Sequence, residues 1–178
     1  MTELEMSPDV LTVDYEGEPG RRMFFVQARG GAGTYSYLVE KQQVSALAER
    51  LRELLLLVDE KDDVLSATPA RDPALSAGDP LQLEWRVGTI GLAYEEDDDR
   101  IVILLQPVED DDQDEAENEL RLDVEGVRLI LRRDQIRSFV VHALGIVTEG
   151  RPTCQLCGLP MDPSGHFCPA SNGHRLGE

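Results

Sequence analysis

Basic charge is scarce in this chain of 178 residues: 17 Lys+Arg stand against 35 Asp+Glu, a formal net charge of −18. A surface of that sign repels phosphate backbones, which argues against nucleic-acid binding by the body of the protein. Long apolar runs are also missing. The longest candidate, residues 54–58, is far too short to cross a bilayer, which takes about 20 residues. Residues 1–10 carry Glu3, Glu5 and Asp9 and lack a basic start followed by an apolar run, so no secretory signal and a soluble, cytoplasmic protein are expected. Cysteine does not occur before Cys154. The three present, Cys154, Cys157 and Cys168, crowd near the C-terminus, and an odd count in a chain without a signal fits metal ligation better than a disulfide framework. Catalytic signatures are lacking as well: there is no Gly-x-Ser-x-Gly, no reactive-cysteine signature away from the tail, and no calcium loop with its glycine and terminal Glu.

What is present divides into two similar halves. In the first, Val10, Leu11, Val13 and Tyr15 form a short strand, residues 16–20 a turn, residues 23–28 a second strand, and Gly30 to Gly33 a hairpin loop before a third strand with Tyr35, Tyr37 and Val39. A helix follows, with Val44, Leu47, Ala48, Leu51, Leu54, Leu55 and Val58 on one face. Residues 67–80 are rich in Pro, Ala, Asp and Ser and read as a linker between halves spanning about 1–66 and 81–148. In the second half Leu81, Leu83, Trp85 and Val87 alternate. The phase moves after Gly88 to Ile90, Leu92 and Tyr94, which predicts a bulge or bend. Residues 101–105 read as a strand buried on both faces or near a sheet centre. Leu120, Leu122 and Val124 read as pairing with Val127, Leu129 and Leu131 across a tight turn at Glu125-Gly126, and Ile136, Phe139, Val140, Ala143 and Val147 mark a second helix. A shift of ninety-two positions aligns Gln43 with Gln135, Val44 with Ile136, Leu47 with Phe139, Ala48 with Val140, Leu54 with Ile146 and Leu55 with Val147; upstream, Tyr37 meets Leu129 and Val39 meets Leu131. An internal duplication gives this pattern, and so does shared amphipathic spacing. The expected fold is an α+β domain over residues 1–150, its sheet mainly antiparallel and its two helices on one face of the strands.

Residues 151–178 form a separate tail. Cys154-Gln155-Leu156-Cys157-Gly158 reads as a zinc knuckle: two thiolates two residues apart reach one tetrahedral ion, and Gly158 allows the turn that aims amides at the sulfurs. A closed structural site takes four ligands, three of them Cys154, Cys157 and Cys168. The fourth is His166 or His174. His166 is favoured, because in an extended segment it points the same way as Cys168. The segment is too short for a core of its own, so one zinc per chain is expected to supply its folding energy. A catalytic zinc with an open position is the lesser reading, since the His-x-Glu that accompanies zinc deaminase cysteine pairs does not occur.

Other features have plainer readings. The acidic stretches Glu95 to Asp99 and Glu109 to Glu119 read as solvated loops. Gly30 to Gly33 lies between strands and has no Lys-Ser or Lys-Thr after it, so it reads as a turn and not a phosphate loop. His142 reads as a partly exposed structural histidine. Arg132, Arg133 and Arg137 read as a surface face or as partners of the acidic loops.

The run Arg133-Asp134-Gln135, then Gly150-Arg151-Pro152, Cys154-x-x-Cys157-Gly158-x-Pro160, Asp162-Pro163, Gly165-His166-x-Cys168-Pro169 and Asn172-Gly173, resembles a largely actinobacterial family catalogued as domain of unknown function 3090. The resemblance covers nearly the whole chain and supports His166 as the ligand, but it implies no activity. With no catalytic constellation, a metal-held tail and an acidic surface, the expectation is a partner-binding or regulatory module with an unidentified protein partner. An enzyme with an unrecognised, zinc-dependent hydrolytic site is the alternative.

Overall fold

A computed structural model describes residues 3–58, 67–78, 82–108, 126–149, 154–158, 161, 166–171 and 175–176. The chain forms two compact units, Met1–Val147 and Thr148–Glu178. The first is α+β. Its strands are β1 (Glu3–Met6), β2 (Val10–Glu16), β3 (Met23–Gly30), β4 (Gly33–Val39), β5 (Leu83–Glu95), β6 (Arg100–Pro107) and β7 (Gly126–Leu131); its helices are α1 (Lys41–Val58) and α2 (Arg133–Thr148). One mixed sheet of seven strands runs in the order β1-β7-β6-β5-β4-β3-β2.

The hairpins follow the alternation in the sequence. Gly30 faces Gly33 across a tight β3–β4 turn, and β6 lies in the sheet interior with Ile101, Val102, Ile103 and Leu105 buried. The strand bends near Gly88 as expected, where the register of β5 on β6 shifts between Val87 and Thr89. Two departures concern parallel pairing. β4 pairs parallel with β5, and α1 lies between them in the chain as the long crossover that parallel neighbours require. The short acidic segment Glu3–Met6 is itself a strand, parallel to β7. It was not predicted because four residues alternating Glu with Leu and Met carry too little apolar pattern. The strand expected at Leu120 to Val124 lies outside the described residues.

The two edges of the sheet are brought near each other. Its two edge strands, β1 and β2, are separated by only Ser7, Pro8 and Asp9. Four Cα steps reach about 14 Å at full extension. Seven strands laid flat, about 4.8 Å apart, would put the edges roughly 29 Å from each other. The sheet must therefore curl until its edges approach. Leu11 and Val13, Phe24, Val26 and Ala28, Tyr37 and Val39, Ile101, Ile103 and Leu105, and Val127, Leu129 and Leu131 all belong to one core cluster, which the buried faces of α1 and α2 complete.

The two halves share details finer than element order. Phe24 pairs with Val39, and Ile101 with Leu131, as the last described couple of each β-ladder before its helix. At the start of α1 the N–H of Glu40 donates to Gln43 Oε1 at 2.8 Å; at α2 the N–H of Arg132 donates to Gln135 Oε1 at 2.9 Å. This is the return half of a capping box. Gln43 Nε2 then donates to the carbonyls of Val87 and Gly88, both at 3.1 Å. Gln135 Nε2 donates to those of Pro8 and Asp9, both at 2.8 Å. Each helix of one half thus ties down the bend that opens the other half's meander. Replacing either glutamine by alanine removes the cap and leaves two carbonyls without that donor. We expect Gln43→Ala and Gln135→Ala each to lower stability by about 1–2 kcal/mol in urea unfolding.

Residues 67–78 belong to the segment that links the two halves. They form a strap with a 3-10 turn at Pro73–Leu75, capped by Asp72, whose carboxylate accepts from Ala74 N–H at 2.9 Å. Every buried polar residue of the body's sheet and helices reaches the strap directly or through one neighbour. Thr12 Oγ1 donates to Leu75 O. Asp14 accepts from Arg71 at 2.6 Å and from Ala77 N–H at 3.1 Å. Gln27 accepts from Gly78 N–H at 2.7 Å and donates to Gly78 O at 3.2 Å and to Ser36 Oγ at 3.0 Å. His142 accepts from Asp72 N–H at 2.9 Å. Where the strap crosses α2, a Cβ on Gly145 would lie 2.4 Å from Ala70 C, so only glycine lets the two backbones approach.

Candidate metal centre

The second unit contains two short strands, β8 (His166–Phe167) and β9 (Arg175–Leu176), paired antiparallel. Ahead of them the knuckle closes at Gly158, whose N–H donates to Cys154 O at 2.9 Å and whose φ of +71° lies in the left-handed region that favours glycine. The turn aims backbone amides at a sulfur. The N–H groups of Cys157 and then Leu156 lower the Cys154 thiol to about 6; burial opposes them, and His166 and the Cys157 side chain act with them. A thiol shifted that way is ready to bind as thiolate, the form a metal requires. On the other side β8 is extended, and His166 and Cys168, two residues apart, reach the same group while Phe167 between them turns out to solvent at 70% exposure.

The four side chains expected to bind metal, Cys154, Cys157, His166 and Cys168, come together with all their ligand atoms within 4.8 Å of one another. Cys154 Sγ and Cys168 Sγ are 3.7 Å apart, as are Cys157 Sγ and His166 Nε2. Metal–sulfur bonds of about 2.3 Å and metal–nitrogen bonds of about 2.0–2.1 Å in a tetrahedron give ligand–ligand edges of roughly 3.5–3.8 Å. The two measured edges already have that length, and the widest gap has about 1 Å to close. A disulfide needs sulfurs at about 2.05 Å, and none is formed. The cluster can therefore hold a metal ion, and three soft sulfurs with one imidazole is a donor set that suits zinc. His174, the other histidine weighed from the sequence, lies outside the described residues.

The chain belongs to the DUF3090 family of proteins of unknown function. The family match spans residues 5–168. It takes in all four cluster residues and stops short of His174. No curated protein and no solved structure matches the chain.

Elsewhere the structure sorts the remaining candidates. His142 is fully buried, not partly exposed, because the strap covers the edge of α2 that the helical pattern leaves open. Arg133 donates to Asp99 at 2.6 Å, to Tyr94 Oη at 2.8 Å and to Val58 O at 2.5 Å, joining the acidic β5–β6 turn to the last residue of α1. Asp99 holds a φ of +52° there, and its carboxyl is kept below the usual range by the Tyr94 hydroxyl and by Arg133. Arg132 pairs with Asp134 at 2.9 Å. Gly30 to Gly33 is a turn; with Glu5, Pro8, Arg29 and Tyr35 it borders a shallow cavity of about 230 Å³ built from the first half alone. Residues 109–119, the longer acidic stretch, lie outside the described residues. Among the described residues no helix is long and apolar enough to cross a membrane.

Cobalt(II) reports the ligand set directly, since a tetrahedral three-sulfur site gives intense visible bands and sulfur-to-cobalt charge transfer. We expect His166→Ala to shift those bands and weaken metal affinity by about 10-fold or more, and His174→Ala to leave both unchanged. The opposite pattern in a cobalt titration would reassign the fourth ligand.

Proposed function

We propose that this protein is a partner-binding or regulatory module whose C-terminal unit is shaped by one structural zinc ion, bound by Cys154, Cys157 and Cys168 as thiolates and by His166 through Nε2. The observation that carries this reading is the closed donor set: four protein side chains converge on one point, enough to fill a tetrahedron and leave no position for water or substrate. When bound, zinc supplies the folding energy that a unit of this size cannot draw from a core. The convergence of His166 with the three cysteines supports His166 as the fourth ligand. The knuckle and the β8–β9 pair support a zinc-ribbon-like description of the unit.

Partner binding rests on what the unit displays. Leu156 at the tip of the knuckle is 59% exposed and Phe167 between two ligands is 70% exposed. Both sit on backbone that the metal would hold rigid, and rigid apolar side chains make effective anchors in protein interfaces. The body offers no competing catalytic constellation among the described residues. The cavity beside the Gly30 to Gly33 turn has Glu5 and Arg29 as its charged lining residues and draws nothing from the second half, so it is not the two-half pocket that the enzyme alternative calls for. For the body we propose an ancestral duplication of a strand-strand-strand-helix unit, supported by the recurrent Gln43 and Gln135 bonds.

A tagged pull-down from the native organism, run beside Phe167→Glu, tests the functional reading. We expect a stoichiometric partner with the natural chain and its loss with the variant, at unchanged zinc content. A partner held equally by both, or no partner in either, overturns it. Chelation tests the structural role. Removing zinc is expected to open Thr148–Glu178 to protease while Met1–Val147 stays resistant. A tail equally resistant with and without metal would contradict a structural ion.

A further inference from the structure

His142 is a buried titratable group to which the proposed function gives no role, and its bonds are direction-specific. The N–H of Asp72 can only donate, so Nδ1, 2.9 Å away, carries no proton. The carbonyl of Val13 can only accept, so Nε2, also at 2.9 Å, carries one. The imidazole is thus neutral, and it stitches three elements together: α2, which bears it, β2 through Val13, and the strap through Asp72. A second proton would go onto Nδ1 and face the Asp72 N–H donor to donor.

We propose that residues 70–78 are a latch over the β2–β4 face, closed by neutral His142 and released when His142 takes up a proton.

The groups that set the balance are few. Thr12 Oγ1 lies 3.4 Å from Nε2. Burial disfavours the imidazolium most strongly; the Val13 carbonyl, then Asp14 on β2 and Asp72 on the strap favour it, and Arg71 on the strap opposes it. The net direction is down from the ordinary histidine value of about 6.5. The unfolded chain, or an open strap, takes the proton at about 6.5 while the closed form resists. Closure stability is therefore complete above that value and is lost as pH falls below it toward the lower value of the closed form.

The fold makes the release local. The strap is a surface layer: Asp72, Pro73, Ala74 and Ser76 are exposed, and it joins the body mostly through side-chain bonds to its backbone. The curled sheet beneath keeps its own ladder, with Val13 paired to Val26, and its apolar core. Opening uncovers Thr12, Asp14, Gln27 and Ser36, a polar face whose donors and acceptors are matched to an extended backbone.

Amide hydrogen exchange by NMR on the full chain, from about pH 7.5 to about pH 5.5, tests this. After correction for intrinsic exchange, protection at Asp72, Ala77 and Gly78 should fall by about tenfold or more in a one-proton transition, while Val13 and Val26 keep theirs. His142→Gln preserves both bonds, its amide donating to Val13 O and accepting from Asp72 N–H, but cannot titrate; its strap should stay protected throughout. The proposal is overturned by strap protection that ignores pH, by the same transition in His142→Gln, or by core amides that fail in step with the strap. Should the variant not fold, the His142 ring resonances of the natural chain decide. Their midpoint must lie below about 6.5, with strap protection falling between that value and the ring midpoint, and a ring that titrates at or above about 6.5 sinks the latch.

Discussion

Two bends govern the body of this protein. At Gly88 one strand leaves β4 and joins β6; at Ser7-Pro8-Asp9 the chain leaves β7 and joins β3. Each bent segment is shared between two neighbours, one parallel and one antiparallel, so the sheet has to curl. The reach of a few residues cannot be stretched to the width of a flat sheet. Curling turns one face inward along every strand from β2 to β7, and that face and the two helices share a single core. The bends themselves break ladder pairing and leave carbonyls without strand partners. Gln43 and Gln135 answer that need, each from the helix of the opposite half.

The halves differ where the strap lies. At the ninety-two-residue offset, His142 and Gly145 on α2 correspond to Arg50 and Glu53 on α1. Arg50 and Glu53 are solvent-exposed and pair with each other at 2.9 Å. On α2 the same edge of the helix is buried, which demands a side chain that can bond in the dark at one position and no side chain at the other. The sheet shows the same contrast. Thr12, Asp14, Gln27 and Ser36 point away from the core yet are buried, because the strap supplies amides and carbonyls to meet them.

The C-terminal unit works on another principle. Its four convergent side chains, Cys154, Cys157, His166 and Cys168, form a cluster that can hold a metal ion. A knuckle whose amides lower the Cys154 thiol, and an extended segment in which exposed Phe167 separates His166 from Cys168, meet in that cluster. The same alternation that turns His166 and Cys168 toward the cluster turns Phe167 out to solvent.

Much of this was written in local patterns. The helices, the hairpin at Gly30 to Gly33, the bend at Gly88 and the clustering of Cys154, Cys157, His166 and Cys168 depend on neighbours a few residues away, and period, turn chemistry and Cys/His spacing report such neighbours. The offset linking Gln43 to Gln135 was legible too, although which carbonyls they hold was not. What only the tertiary structure decided depends on partners far along the chain: the parallel placement of Glu3–Met6 on β7, the curl of the sheet, and above all the strap. Thr12, Asp14 and Gln27 look solvent-facing in sequence because strand alternation says which way a side chain points and not what lies over it. His142 and Gly145 were the visible signs of a cover, a histidine and a glycine on a helical edge where the first helix carries an ion pair. Their meaning rests on a backbone that crosses them from some seventy residues away, a contact that no local period can encode.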